Sequence, residues 1–244
     1  MRWFTSDTHF AKTGDKILRR EMRPYKTIKE YCDDQIRIWN EQASKDDVIY
    51  HLGDMCNYNG TEKDFLPGLM LVQEVNAKVI LIMGNNEERV MQYCFENNFE
   101  KFRDFCIRHG FLDVKQNDTI SIDGAKLYLV HRPIDCKPGM LNLYGHVHRQ
   151  GGIWSPYGFN ICTDVNHFRL YSENDIRFLI SQKAAWDNDA DTKFLAGLTF
   201  SPRLKQGDSC INHHCTATEA VASYTMSDRR YFPCVPRYGM YLSS

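Results

Sequence analysis

The sequence predicts an α/β fold. Short apolar runs of strand length alternate with amphipathic stretches of helical length. Runs of the first kind lead directly into clusters of Asp, His and Asn, and they do so five times. In α/β sheets ligands bind outside the carboxyl ends of strands, so this placement points to a site built on one edge of the sheets.

Taken in order, Arg2 to Thr5 reads as a strand that runs into Ser6-Asp7-Thr8-His9. Tyr25 to Gln42 has helical spacing, with Ile28, Tyr31, Cys32, Gln35, Ile36 and Trp39 on one face. Val48 to Leu52 is a strand ending at Gly53-Asp54, and Leu69 to Val75 reads as a helix. Lys78 to Met83 is a buried strand ending at Gly84-Asn85-Asn86. Glu87 to Asn97 and Phe99 to His109 read as helices. Thr119 to Ile122 and Lys126 to Val130 form a hairpin around Asp123-Gly124, whose second strand meets His131. Leu141 to Tyr144 ends at Gly145-His146-Val147-His148, Phe159 to Thr163 is a further strand, and Glu173 to Ile180 is a last short helix.

Composition bounds the possibilities. The 244 residues are 43% hydrophobic and 25% charged, enough for a buried core without staples. Thirty Lys and Arg against 31 Asp and Glu exclude a protein held to nucleic acid by net charge. No secretory leader is visible, and the longest aliphatic run, Val79 to Met83, is far short of a membrane span. The nine Cys are scattered and odd in number. Several, among them Cys94, Cys106 and Cys162, sit in apolar segments where a reduced thiol behaves as a small hydrophobe. A cytoplasmic protein with no membrane partner is expected. The character changes near Ser181, which divides the chain into a domain over 1–182 and a loop-rich extension over 183–244.

The strand-end clusters offer Asp7, His9, Asp54, Asn85, His131, His146 and His148. Mixed imidazole and carboxylate donors suit Mn, Fe, Zn, Ni or Co better than Mg or Ca. Donors two residues apart in a turn, as in Asp7-x-His9 and His146-x-His148, can chelate one ion. Seven donors exceed the needs of one ion and suit two that share a carboxylate, set roughly 3.5–4 Å apart as a clamp for displacement at phosphorus.

The ordered set D-x-H, GD, GN-x-[DE], H and GH-x-H resembles the calcineurin-like metallophosphoesterases. The flanks Phe4 to Phe10, Arg23-Pro24-Tyr25, Trp39-Asn40 and Val48 to Asp54 resemble its small bacterial and phage members. The resemblance covers roughly residues 1 to 182. It implies two mixed sheets packed face to face with helices outside, an α/β/β/α sandwich. It implies that Asp7, His9 and His148 hold a first metal, that Asn85, His131 and His146 hold a second, and that Asp54 bridges them. Manganese is the expected ion, with nickel, iron or zinc as alternatives. The implied reaction is hydrolysis of a phosphoester by in-line attack of a metal-bridging hydroxide, with Asp54, His131 and Asn86 as catalytic residues.

The family's usual third residue in GNH is a His that protonates the leaving group. Asn86 stands there, and an amide cannot deliver a proton near neutral pH. This favours a phosphodiesterase over a monoesterase, and it leaves a non-catalytic binding scaffold as the alternative. The GD-x-VDRG signature of protein phosphatases is absent.

Arg132 and Arg149, each following a ligand His, are candidates for phosphate contact together with Asn86, and Arg23 stands on a similar footing. The substrate class extends to nucleotides, and its choice belongs to the loops 11–22, 57–67 and 133–140. His51 reads as a core histidine, and Glu87 as either a support of the metal loop or a helix-start acid. Cys210 to Cys215, with two His between them, reads as a chance cluster rather than a zinc site, and the aromatics at 231–232 and 238–241 as packing residues.

Overall fold

The computed structural model describes residues 1–11, 14–57, 62–150, 154–155 and 158–188. The expectations for 189–244, including the Cys210 to Cys215 cluster and the tail aromatics, lie outside the described residues.

Ten strands among these residues form two five-stranded sheets. They are β1 (Arg2–Thr5), β2 (Val48–His51), β3 (Lys78–Ile82), β4 (Asp113–Lys115), β5 (Asp118–Ile122), β6 (Ala125–Leu129), β7 (Leu141–Tyr144), β8 (Trp154–Ser155), β9 (Gly158–Asn160) and β10 (Tyr171–Ser172). The first sheet has the order β10-β1-β2-β3-β4 and is parallel except for β10. The second has the order β5-β6-β7-β9-β8, with a parallel centre and antiparallel edges. The helices are α1 (Lys16–Arg20), α2 (Ile28–Gln42), α3 (Glu62–Leu69), α4 (Asn85–Cys94), α5 (Phe99–Arg108) and α6 (Glu173–Asn188).

Side-chain alternation along the strands assigns the layers. Ile49, Val79 and Leu81 join Ile36 and Trp39 of α2, Val90 of α4 and Phe102 and Cys106 of α5 in one buried cluster. Phe4 and Ile82 face the other way and meet Ile120, Leu127, Leu129, Leu143 and Phe159 of the second sheet. Ile176 and Leu179 of α6 close that second cluster. On the far side of the second sheet, Tyr128, Val130 and Tyr144 are covered by Cys136, Met140 and Val147. These are two mixed sheets with flanking helices, as expected.

Several elements differ from the sequence expectation. The helix expected from Leu69 ends there: α3 buries Phe65 and Leu69 one turn apart, and Met70–Glu74 tightens into a 3-10 turn. The helix expected from Glu87 starts two residues earlier, which puts Asn85 and Asn86 in its first turn. The last helix continues past residue 182 to Asn188. Strands β4, β8 and β10 have two or three residues, too few for a periodic signal. The hairpin turn is as expected: Asp123 and Gly124 have φ of 48° and 85°, the left-handed pair that matches strand twist. Among the described residues no helix is long and apolar enough to cross a membrane, and Cys32, Cys56, Cys106, Cys136 and Cys162 are free thiols.

Phe159 is fully buried between the sheets. Phe159→Ala should lower unfolding free energy by about 3–5 kcal/mol in urea titration.

Candidate metal centre

The parallel strands β1, β2, β3, β6 and β7 deliver their exit loops to one place. Backbone bonds lock these loops together: Asp7 N donates to Gly53 O and His9 N to Asp54 O, each at 3.0 Å, and Gly145 N donates to His131 O at 2.9 Å. The sheets themselves are tied here, where Ser6 forms a parallel bridge with Cys162. Gly53 is required by this crowding. Its φ is +85°, and a Cβ there would lie 2.6 Å from both Gly84 Cα and His131 Nδ1.

All seven metal-ligand candidates converge. Asp7, His9 and Asp54 place ligand atoms within 4.8 Å of one another, all buried. Asp54 faces two ways, with Oδ2 at 3.8 Å from His9 Nε2 and Oδ1 at 3.6 Å from His131 Nε2. His148 Nε2 lies 3.8 Å from Asp7 Oδ1 and its ring stacks on His9. Asn85 Oδ1 lies 3.0 Å from His131 Nε2 and 2.9 Å from His146 Nδ1. Five of the seven (Asp7, His9, Asp54, His146 and His148) have φ between 48° and 72°. A single residue in that left-handed region costs of order 1–2 kcal/mol, and Asp and His adopt it more readily than most.

The donor set fits a cation. Asp7 Oδ1 and His9 Nε2 are buried with no hydrogen-bond partner. His131 Nδ1–H donates to Leu52 O at 2.7 Å, which leaves Nε2 as a lone-pair atom beside Asn85 Oδ1. Two acceptors at that distance need a proton or a cation between them. Titration reflects the crowding. Burial alone would raise the Asp7 carboxyl, but the imidazoles of His131, His148 and His9 hold it below the ordinary range. Burial, reinforced by Asp7, raises Asp54. Burial pushes His9 well down and His146 to about 3, helped by their neighbouring imidazoles.

A surrounding shell holds the ligands. Glu87 is buried and accepts three backbone N–H groups, from Gly84 at 2.9 Å, Asp54 at 2.8 Å and Met55 at 2.9 Å. It therefore both starts α4 and supports the metal loops. Burial and the Asp54 charge push its carboxyl up to about 7. Asp7 Oδ2 accepts His146 N and the Cys162 thiol, each at 2.9 Å, so Cys162 is a polar partner of the site as well as the buried apolar-cluster residue expected. His148 Nδ1–H donates to Asp164 at 2.7 Å, and Asn160 donates to His148 O at 2.6 Å. Sequence reading missed Asn160, Cys162 and Asp164. The signal was present: three polar or thiol side chains at alternate positions leaving β9, the same pattern that marked the other strand ends.

The phosphate-contact candidates fare differently. Arg23 is corrected: it is buried and spends its guanidinium on Asp164 and on backbone carbonyls, so it is closed to substrate. Arg132 is partly exposed and forks onto Glu88 in the first turn of α4. Arg149 Nε is buried without a partner among the described residues. Asn86 turns inward; its amide donates to Cys56 O at 3.0 Å and lies 3.2 Å from His9 Nδ1. His51 is the core histidine expected, 3.0 Å from Thr8 Oγ1 and beside Trp39.

A family model described as calcineurin-like phosphoesterase matches residues 2–214. The chain belongs to this family. An uncharacterised protein of Methanocaldococcus jannaschii, MJ1445, is 27% identical over 131 residues, 54% of this chain and 58% of that protein. The chain thus spans somewhat over half the length of that curated relative. The crystal structure of AQ665 from Aquifex aeolicus, a protein of unknown function, matches with a TM-score of 0.50 at 20% identity, over 73% of this chain and 98% of that one. That likeness is one of fold. YfcE, a phosphoesterase from E. coli, matches with a TM-score of 0.34 at 15% identity, over 66% of this chain and 77% of its own.

Glu87→Ala strands three buried N–H groups in this calcineurin-like centre, and should cost more than ~2 kcal/mol in denaturant unfolding. His51 supplies a pH test. Burial lowers its pKa from 6.5 to about 3, so the unfolded chain binds the extra proton between those values. Stability from this group is present above pH 6.5 and lost as pH falls toward 3. The His51→Phe protein should show a shallower decline of melting temperature across that window than wild type.

Proposed function

We propose that this protein is a metal-dependent phosphoesterase that prefers phosphodiesters, with nucleotides within its substrate class. The observation that carries the reading is the buried, partnerless pair Asp7 Oδ1 and His9 Nε2 facing an Asp54 carboxylate that also faces His131. Asp7, His9 and His148 would hold one divalent ion and Asn85, His131 and His146 a second, with Asp54 between them. Manganese suits the mixed donors, as do nickel, iron and zinc. Bound ions of this kind activate water and neutralise charge on phosphoryl oxygens.

The chain's own residues supply the rest. The left-handed turns hold the ligand atoms at fixed positions before substrate arrives, which lowers the reorganisation needed for reaction. Leu52 O and Asp164 fix which ring nitrogens of His131 and His148 face the centre. Asn86, turned toward His9, offers no proton to a leaving group. Esters with good leaving groups need none, so these should turn over fastest. Arg149 is the remaining candidate for phosphate contact, while Arg132 must leave Glu88 to serve. The proposed setting is cytoplasmic, with the domain carried through α6 to Asn188 rather than ending at 182.

The inward Asn86 also favours a second reading, a binding scaffold that keeps the metal ligands without turnover. Hydrolysis of bis-p-nitrophenyl phosphate and p-nitrophenyl phosphate by metal-stripped, Mn²⁺-resupplied protein separates the two. The proposal expects faster diester cleavage, lost in Asp54→Asn and His146→Ala proteins that remain folded. Equal rates in those variants, or silence on both esters with metal bound, would contradict it.

A further inference from the structure

Behind the centre lies a buried charge pair in which Asp164, the partner of His148, is itself held by Arg23, a residue the proposed chemistry does not use. Asp164, just beyond β9, accepts Arg23 Nε on Oδ1 and Arg23 Nη2 on Oδ2, each at 2.8 Å. Both side chains are fully enclosed. Such a pair is weak support for stability, because desolvation of two ions offsets most of their attraction. Its remaining bonds all run toward metal-ligand candidates. Asp164 Oδ2 also accepts His148 Nδ1–H at 2.7 Å. Arg23 Nη2 donates to Asp7 O and Nη1 to Thr8 O, each at 2.7 Å.

An imidazole that donates from Nδ1 presents its lone pair at Nε2, and here Nε2 points toward Asp7 Oδ1 at 3.8 Å. A carboxylate behind a histidine fixes both the tautomer and the ring orientation of a metal ligand. The two carbonyl bonds act on a different feature, the backbone from Asp7 to His9, whose φ values of 59° and 53° are otherwise disfavoured. One guanidinium therefore braces the Asp7 turn and, through Asp164, the His148 ring.

We infer that Arg23 and Asp164 are positioning residues that preassemble the Asp7, His9 and His148 half of the centre for a divalent ion. The inference rests on the metal-binding part of the proposed function and not on turnover. The Asn85, His131 and His146 half makes no bond to this pair among the described residues, so its affinity is the internal control.

The test combines two readouts on the full chain. Long-range ¹H–¹⁵N spectra of histidine side chains report the His148 ring protons in metal-free wild type, with no substitution needed. The proposal expects a hydrogen-bonded Nδ1–H, in the neutral ring or the imidazolium; a neutral ring protonated only at Nε2 overturns it. Calorimetric titration with Mn²⁺ then compares wild type with Arg23→Met/Asp164→Leu, a joint replacement that removes both buried charges together. One of two affinities should fall by about 10–100-fold while the other holds. Asp164→Asn keeps one acceptor oxygen and should restore most of the loss. A folded double variant with both affinities unchanged, or an unrescued loss shared equally by both ions, overturns the inference. A protein that binds Mn²⁺ in this pattern yet hydrolyses nothing would sink the enzymatic reading alone.

Discussion

The fold is organised around a crowd of buried acceptors. Two carboxylates, an amide oxygen and imidazole lone pairs face one another where the strands end, with Asp7 Oδ1 and His9 Nε2 left without donors. Burying such groups unpaired is among the costlier things a protein interior can do. A divalent cation would resolve the conflict, since each acceptor would become a ligand. The polar shell around the crowd follows from the same constraint. Glu87 holds three loop amides, Leu52 O holds His131, and Cys162 with His146 N saturates the far oxygen of Asp7.

The sheets exist to make that crowding possible. Parallel pairing of β1 with β2 and β2 with β3 aligns three exits on one edge, and parallel pairing of β6 with β7 aligns two more on the second sheet. The apolar cluster from Phe4 to Phe159 sets the two edges against each other. The left-handed backbone at five of the ligand candidates then turns side chains inward that an extended strand would send to alternate faces. Local strain is carried by a rigid frame, a common arrangement at functional sites.

How much of this was legible follows from the range of each signal. Strand exits, apolar periodicity and the Asp7-x-His9 pair are local patterns that the structure brings together, whereas the expected His146-x-His148 pair divides, His146 facing Asn85 and His131 and His148 facing Asp7 and Asp164. Strands of two or three residues, such as β8 and β10, carry no period to detect. The start of α4 was misplaced because Glu87 caps it from within the helix, a contact set by the folded turn. Arg23 was misjudged for a longer-range reason. An arginine's use depends on what faces it, and its partner Asp164 lies 141 residues away. Asn86 illustrates the same limit: the sequence indicates that it cannot give a proton, but only the fold shows its amide turned to His9 and Cys56.

The seven convergent residues are proposed to form a two-ion centre with Asp54 between the ions. Anomalous diffraction from crystals grown with Mn²⁺ tests it most directly. The account predicts two manganese peaks flanking the Asp54 carboxylate, one against Asp7, His9 and His148 and the other against Asn85, His131 and His146. A map with no manganese among these residues, or with ions bound only elsewhere on the protein, would contradict it.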